Sequence, residues 1–285
     1  MAFSGLRARA VIRQHQARRR FGQSFLVDSS YIARVVQAIA PVPDDRMVEI
    51  GPGLGALTAP LVERLHALHA IEIDRDLAAR LVEQYPADRL IVHQADALIF
   101  DFTALGAGLR VVGNLPYNIS SPLLFRMTEL TASIRDCHFM LQKEVVDRMV
   151  AVPGSKTYGR LSVMLQYRFR AEKLFNVPAG AFRPAPQVDS ALVRLIPHAV
   201  PPAVAQDERL LGEVVARAFG QRRKTLRNAL ADFATAQEIS ALGIDPGLRP
   251  ERLSLGEFVR LANAVAGKQR TDIRHPGAGK RNRSG

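Results

Sequence analysis

Met47-Val48-Glu49-Ile50-Gly51-Pro52-Gly53-Leu54-Gly55 is the stretch on which the fold turns. Its first four residues are apolar apart from one acid, as a short buried strand requires. The three glycines that follow permit a tight loop and a backbone that approaches a ligand closely. Residues 56–65 then carry a helical pattern, so the chain runs strand, glycine loop, helix. Outward from this unit the alternation repeats. Residues 67–73 read as a strand and 74–84 as a helix that Asp74 can cap, and 89–93 and 109–113 as further strands. Ser120-Ser121-Pro122 has the form of an N-cap followed by proline at the first helical position, opening a helix to about residue 130. Residues 135–142 predict a strand, 143–150 and 160–167 helices, and 173–177 and 190–196 a strand-rich finish. The expected fold class is α/β, a doubly wound, Rossmann-like sheet.

Pro197-His198-Ala199-Val200-Pro201-Pro202 reads as a linker, and beyond it the pattern is helical, without strand signal, to about residue 266. The expected organisation is a basic N-terminal arm at 1–27, the α/β domain at 28–200, a small all-helical C-terminal domain at 201–267, and a basic, disordered tail at 268–285. A chain of 285 residues, 47% hydrophobic and 23% charged, has material for one large core and one small one.

Charge is concentrated at the two ends. Arg7, Arg9, Arg13, Arg18, Arg19 and Arg20 precede the first acid, Asp28, and the segment from Lys268 adds +5, so 11 of the 12 net positive charges lie outside a nearly neutral body. Basic arms on a neutral globule suit nucleic-acid binding, because phosphate contacts release counterions and steer association. A further cluster, Arg217, Arg222, Arg223, Lys224 and Arg227, has no acid inside it and falls on a helical pattern that can face phosphates. The single cysteine, Cys137, lies in an apolar stretch and makes no internal disulfide, so an oxidising compartment is not required. No apolar run approaches the ~18 residues of a membrane span, and a soluble cytoplasmic protein is expected, although the Arg-rich start resembles a mitochondrial transit peptide in composition. The seven histidines show no metal-ligand spacing, and no nucleophile-elbow sequence occurs, so neither a metal centre nor a Ser/His/Asp assembly is expected.

Two features carry chemistry. After the strand at 109–113 comes Asn114-Leu115-Pro116-Tyr117. The exocyclic amine of adenine is a poor nucleophile, and a catalyst needs acceptors that hold both N–H groups while the nitrogen pyramidalises. The Asn114 side-chain oxygen and the Leu115 carbonyl are two such acceptors, Pro116 restricts the backbone that aims the carbonyl, and Tyr117 offers a face for a flipped base. The second feature is the glycine loop paired with Glu72, which stands 21 residues after Gly51, where a carboxylate can accept both ribose hydroxyls. Gly51, Gly53 and Ala56 also satisfy the dinucleotide fingerprint, so the loop by itself leaves NAD and S-adenosylmethionine open. Three residues tilt the choice. Glu49 completes the pattern E-x-G-x-G-x-G typical of methyltransferases, Asp96 at the third strand end is placed to accept an adenine amine, and the fourth strand ends in the base-amine motif rather than in a catalytic His or Lys.

From about Arg18 to Ala266 the chain resembles the small-subunit (16S) ribosomal RNA adenine-N6,N6 dimethyltransferases. The resemblance rests on Arg20-Phe21-Gly22-Gln23-Ser24-Phe25-Leu26, Val48-Glu49-Ile50-Gly51-Pro52-Gly53, Ile71-Glu72-Ile73-Asp74 and Gly113-Asn114-Leu115-Pro116-Tyr117-Asn118-Ile119-Ser120. It rests equally on Leu141-Gln142-Lys143-Glu144, Phe182-Arg183-Pro184-Ala185-Pro186-Gln187-Val188-Asp189-Ser190 and Gln221-Arg222-Arg223-Lys224. It implies an S-adenosylmethionine site, without metal, at Ser24, Leu26, Gly51, Gly53, Glu72, Ile73, Asp96, Ala97 and Asn114. It implies a reaction centre at Asn114, Leu115, Pro116 and Tyr117, with Phe182 closing a base sandwich opposite Tyr117, and RNA contacts at Arg18, Arg19, Arg20, Arg222, Arg223, Lys224 and Arg227. The implied partner is 16S rRNA within an immature 30S subunit, met by a monomer, and two adjacent adenosines near the 3′ end each receive two methyls. Ser24 departs from the Asn or His usual in the F-G-Q-x-F-L block, which puts a side-chain contact to the cofactor there in doubt. Rival readings are a large-subunit enzyme of the macrolide-resistance type, a non-catalytic assembly or transcription factor of the same fold, and an NAD-dependent dehydrogenase.

Overall fold

In the computed structural model, residues 24–274 apart from Arg222 are described, with the side chains of 269–274 left aside. The sheet is built outward from β2 (Met47–Ile50), all four residues of which are buried. β3 (Leu68–Glu72) and β4 (Leu90–Gln94) extend it in parallel on one side, and β5 (Leu109–Asn114) and β6 (Ile134–Gln142) in parallel on the other. Two further strands, β7 (Phe169–Val177) and β9 (Ser190–Pro197), close the sheet antiparallel, with β9 between β6 and β7. A separate ribbon pairs β1 (Phe25–Leu26) with β8 (Phe182–Arg183). The strand order β4-β3-β2-β5-β6-β9-β7 places the change of direction between β2 and β5. A crevice forms at the carboxyl ends of the strands beside such a switch point.

Local chemistry explains most element boundaries. Asp74 caps the helix Arg75–Gln84 by accepting from Asp76 and Leu77 N–H groups, as its sequence position suggests. The expected cap at Ser120-Ser121 is absent: the helix Ser120–Glu129 begins at Ser120 itself, whose hydroxyl donates to the Pro116 carbonyl at 3.1 Å. That bond carries the chain from the turn at 116–119 into the helix without an extended cap residue. Similarly, the helix after the glycine loop spans only Thr58–Val62, because residues 54–57 are spent on turns that follow the left-handed glycines. The helix Ser29–Ile39, capped by Asp28, was not expected, although its Val35, Val36 and Ile39 lie in the same core cluster as β2.

At the amino ends of the strands, away from the crevice, Arg110 is 6% exposed. It pairs with Asp45 at 2.5 Å and Asp136 at 3.1 Å, and donates to the Ile39 carbonyl at 2.6 Å. A buried guanidinium is tolerated only when its donors are met in this way.

The chain divides into two compact units. One takes the residues up to Val150 together with Arg168–His198, and the other takes Ala151–Tyr167 and everything from Ala199. The boundary expected near residue 200 is therefore incomplete, since Ala151–Tyr167 packs with the helical unit rather than with the sheet. Its Tyr158, Val163 and Tyr167 belong to the same apolar core as Leu211, Val214 and Phe258, and the Tyr167 hydroxyl donates to Glu208 at 3.1 Å. Two other expectations shift. The helix Leu255–Arg274 runs into the stretch read as tail, with Lys268 paired to Glu238. Residues 223–224 lie in a turn between the helices Glu208–Gly220 and Leu226–Ala229 rather than on a helix, and Arg217 is engaged by Asp232.

Candidate active site at the carboxyl ends of the strands

The crevice is walled by the glycine loop, the ends of β3, β4 and β5, and the segment that enters β1. Gly51 and Gly53 have φ of +65° and +58°, a region L side chains seldom adopt. A Cβ on Gly53 would also stand 3.0 Å from the Phe25 ring, so glycine is what lets Phe25 close over the loop. The Gly53 N–H donates to Glu72 Oε2 at 3.1 Å, and the Asp74 N–H to Oε1 at 3.0 Å. Loop and acid are thus one construction, and each carboxylate oxygen retains a lone pair for a further donor.

Three acids line the crevice: Glu49, Glu72 and Asp96. No lysine, arginine or histidine is among the described residues that do so. Glu49, on the central strand, is 2% exposed and accepts from the Thr58 hydroxyl at 2.7 Å. Burial pushes its pKa up to about 7, with Thr58 opposing and the Glu72 charge adding to the rise. Burial likewise raises Glu72, against the pull of the backbone N–H groups of Asp74 and Gly53. Asp96 accepts the Leu98 N–H at 2.9 Å, which holds the turn after β4 in place.

Beside these acids stands the end of β5. Gly113 lies so near β2 that a Cβ there would meet the Ile50 carbonyl at 2.5 Å, and this close approach brings Asn114 to the crevice. Asn114 Nδ2 donates to the Ser24 carbonyl at 2.9 Å. The Ser24 hydroxyl is turned away, donating to the Pro184 carbonyl at 2.7 Å. Leu115 donates its N–H to the Met140 carbonyl at 3.1 Å, and the Tyr117 hydroxyl shares a 2.9 Å hydrogen bond with Ser190. Burial raises the Tyr117 phenol, so it stays protonated at neutral pH.

All nine residues expected at a cofactor site line this one crevice, and so do Leu115, Pro116 and Tyr117. Phe182 does not. It is 1% exposed, paired with Leu26 across the β1–β8 ribbon and packed in the core, so its ring offers no face opposite Tyr117 in this conformation. Of the basic residues named for RNA, Arg223, Lys224 and Arg227 are exposed on the helical unit, while Arg18, Arg19, Arg20 and Arg222 lie outside the described residues. Phe25 and Glu49 are wall residues that the expected set omitted. An acid inside an otherwise apolar strand was the available signal for Glu49; nothing in the residue types marked Phe25. No group of three or more potential ligands able to hold a metal occurs among the described residues.

Fold and crevice together define an S-adenosylmethionine-dependent methyltransferase. Residues 14–267 match the family described as "Ribosomal RNA adenine dimethylase", and the chain belongs to that family. It is 61% identical over 255 residues to "Ribosomal RNA small subunit methyltransferase A" of Aromatoleum aromaticum, covering 90% of this chain and 96% of the relative. The protein of the same name from Chromobacterium violaceum is 56% identical, covering 90% and 98%. Among solved structures, a dimethyladenosine transferase from Plasmodium falciparum superposes with a TM-score of 0.68 at 23% identity, covering 83% of this chain and 95% of that one. The 23S rRNA methyltransferase ErmE gives 0.66 at 27% identity, covering 85% and 99%.

Proposed function

We propose that this chain transfers methyl groups to the N6 amines of two adjacent adenosines near the 3′ end of 16S rRNA, within an immature 30S subunit, acting as a cytoplasmic monomer. The observation that carries this reading is that one crevice joins three carboxyl groups, without a cation among the described residues, to the Asn114–Tyr117 segment. A dinucleotide brings a pyrophosphate, which calls for cations or free N–H groups; a sulfonium brings positive charge, which calls for acids. On a chain of net charge +12, a crevice walled by acids favours the sulfonium. Naming of the 55–61% identical relatives as small-subunit methyltransferases supports the 16S substrate over the 23S substrate.

When bound, S-adenosylmethionine supplies a methyl group on positively charged sulfur. In this reading Glu72 would hold the ribose hydroxyls through the lone pairs its backbone bonds leave, Asp96 would take the adenine amine, and Ile73 and Ala97 would supply apolar wall beside it. Gly51 and Gly53 keep side chains out of the way, and Leu26 covers the site from β1. Asn114 Oδ1 and the Leu115 carbonyl would accept the two N–H bonds of the target amine, which localises its lone pair and orients the nitrogen for transfer. Alignment of this kind replaces an encounter by a near-attack arrangement. Pro116 restricts the turn that points the Leu115 carbonyl inward. Tyr117, its hydroxyl anchored on Ser190, stacks on the flipped base.

Incubation of unmethylated 30S particles with methyl-labelled S-adenosylmethionine, followed by mapping of the label, tests the proposal. Dimethyladenosine at two adjacent 16S positions is expected. Label in 23S rRNA, or none in either RNA, would overturn it.

A further inference from the structure

The β1–β8 ribbon is two rungs long. Phe25 pairs with Arg183 and Leu26 with Phe182, so the next rung would join Ser24 to Pro184. Because the Val27 N–H donates to the Ala181 carbonyl, Phe25–Arg183 is a hydrogen-bonded rung and Ser24 falls at a non-hydrogen-bonded one, where its carbonyl is directed away from β8. Two side-chain bonds hold it there. The Ser24 hydroxyl donates to the Pro184 carbonyl at 2.7 Å, and the Ser24 carbonyl accepts Asn114 Nδ2 at 2.9 Å. Further along the chain, the N–H groups of Val27 and Asp28 hold the Ala181 carbonyl at 2.9 and 3.2 Å, so this segment is pinned on both sides of the ribbon.

An amide side chain has two orientations that diffraction seldom distinguishes but hydrogen bonding does. Turned over, Asn114 would set its own carbonyl oxygen against that of Ser24 at hydrogen-bond distance, with no proton between them. Only the observed orientation is compatible with Ser24, and it leaves Oδ1 as the end of the amide directed away from Ser24.

We infer that Ser24 is a positioning residue for methyl transfer: its hydroxyl, tied to Pro184, holds its carbonyl where Asn114 must present Oδ1 rather than Nδ2 to the incoming amine. The inference rests on the role proposed above for Asn114. It also gives the departure at residue 24 a function, since a short hydroxyl side chain reaches the Pro184 carbonyl while the backbone engages Asn114. An Nδ2 group presented to an amine would be a donor facing donors, so a loose amide lowers turnover without weakening RNA binding.

The experiment compares wild type, Ser24→Ala and Ser24→Thr. In nitrogen-labelled protein, the Asn114 side-chain amide signal is assigned by its loss in Asn114→Ala, and its hydrogen exchange is measured. Exchange in Ser24→Ala is expected to quicken by roughly tenfold, the worth of one hydrogen bond. kcat on 30S particles should fall ten- to a hundredfold, roughly what a small misplacement costs. KM for the particle and the Kd of S-adenosylhomocysteine should stay within about twofold, since phosphate contacts and the acids supply those affinities. Ser24→Thr, which keeps the hydroxyl, should restore slow exchange and turnover. Unchanged exchange in Ser24→Ala, or Ser24→Thr behaving like Ser24→Ala, would overturn the inference. Exchange requires no turnover, so a wild-type protein that methylates another RNA would sink the proposed substrate while leaving Ser24 to be judged by the amide signal.

Discussion

At the scale of single residues, the site is a set of strand ends whose side chains were chosen by what the backbone leaves unmet. The places of Glu72, Asp96 and Asn114 on the crevice wall were legible in sequence because each comes at or just past the end of a strand. Phe182 was misplaced because an aromatic residue names no direction; the register Leu26 to Phe182 turns it into the core. The Ser24 carbonyl could not be foreseen, since a backbone contact has no residue-type signature. Glu49 yields a prediction with a definite sign. Its folded pKa, about 7, lies above the ordinary carboxylate value of 4.5, so the folded state holds a proton that the unfolded state has released between those values. Stability therefore declines as pH rises from about 4.5 to about 7 and loses nothing further from this group above that. Glu49→Gln, which can still accept from Thr58, should flatten that decline. Urea denaturation should find it more stable than wild type at pH 8 and little different at pH 4.5, while calorimetry should find weaker S-adenosylmethionine binding. Parallel pH profiles for the two proteins would show that Glu49 does not titrate in this range.

At the scale of elements, apolar runs located β2 and β5 well, because a strand buried on both faces is a nearly continuous apolar run, whereas β7, largely part-exposed over Phe169–Val177, was read only over 173–177. Helix starts were less legible. Ser120 looks like a cap but spends its hydroxyl on Pro116, a bond set by the turn before it rather than by the helix after it. The β2–β5 approach, on which the position of Asn114 depends, was also invisible, since a strand-terminal glycine has several uses. Here the use is clearance: Gly113→Ala would drive a methyl group into the Ile50 carbonyl, which lies 2.5 Å from the Cβ position. Overpacking of this kind costs about 1–3 kcal/mol. Urea unfolding should report that loss, and methyl transfer should fall further than stability does, because the displaced strand carries Asn114. An alanine variant with wild-type stability and turnover would refute the clearance argument.

At the scale of the whole molecule, the charge pattern and the two units set the expectations for RNA. The described residues that line the crevice belong to the sheet-bearing unit, whereas Arg223, Lys224 and Arg227 stand on the helical one. Replacing Arg222, Arg223 and Lys224 by alanine should weaken 30S binding and flatten its salt dependence, by up to ~0.9 log units per lost phosphate contact on duplex RNA or ~0.7 on single strands. S-adenosylmethionine affinity should not move. A filter-binding series across salt concentrations measures the slope, and an unaltered slope would remove these residues from the interface. The division into units was half legible: the Pro-rich stretch at 197–202 marked one crossing, but the helical pattern at 160–167 fits either unit, and only its packing partners decide.

That double crossing matters for how the protein is made. A ribosome synthesising this chain delivers Tyr158, Val163 and Tyr167 well before Leu210, Leu211 and Val214, with which they share an apolar core. The nascent chain thus completes β7 and β9 while carrying an apolar segment that has nowhere to dock. Ending the protein at His198 is accordingly not the removal of a domain but the arrest of synthesis at its stickiest moment. Such a fragment should collect in the pellet on expression, whereas one that also replaces 151–167 with a short polar linker should stay in the supernatant.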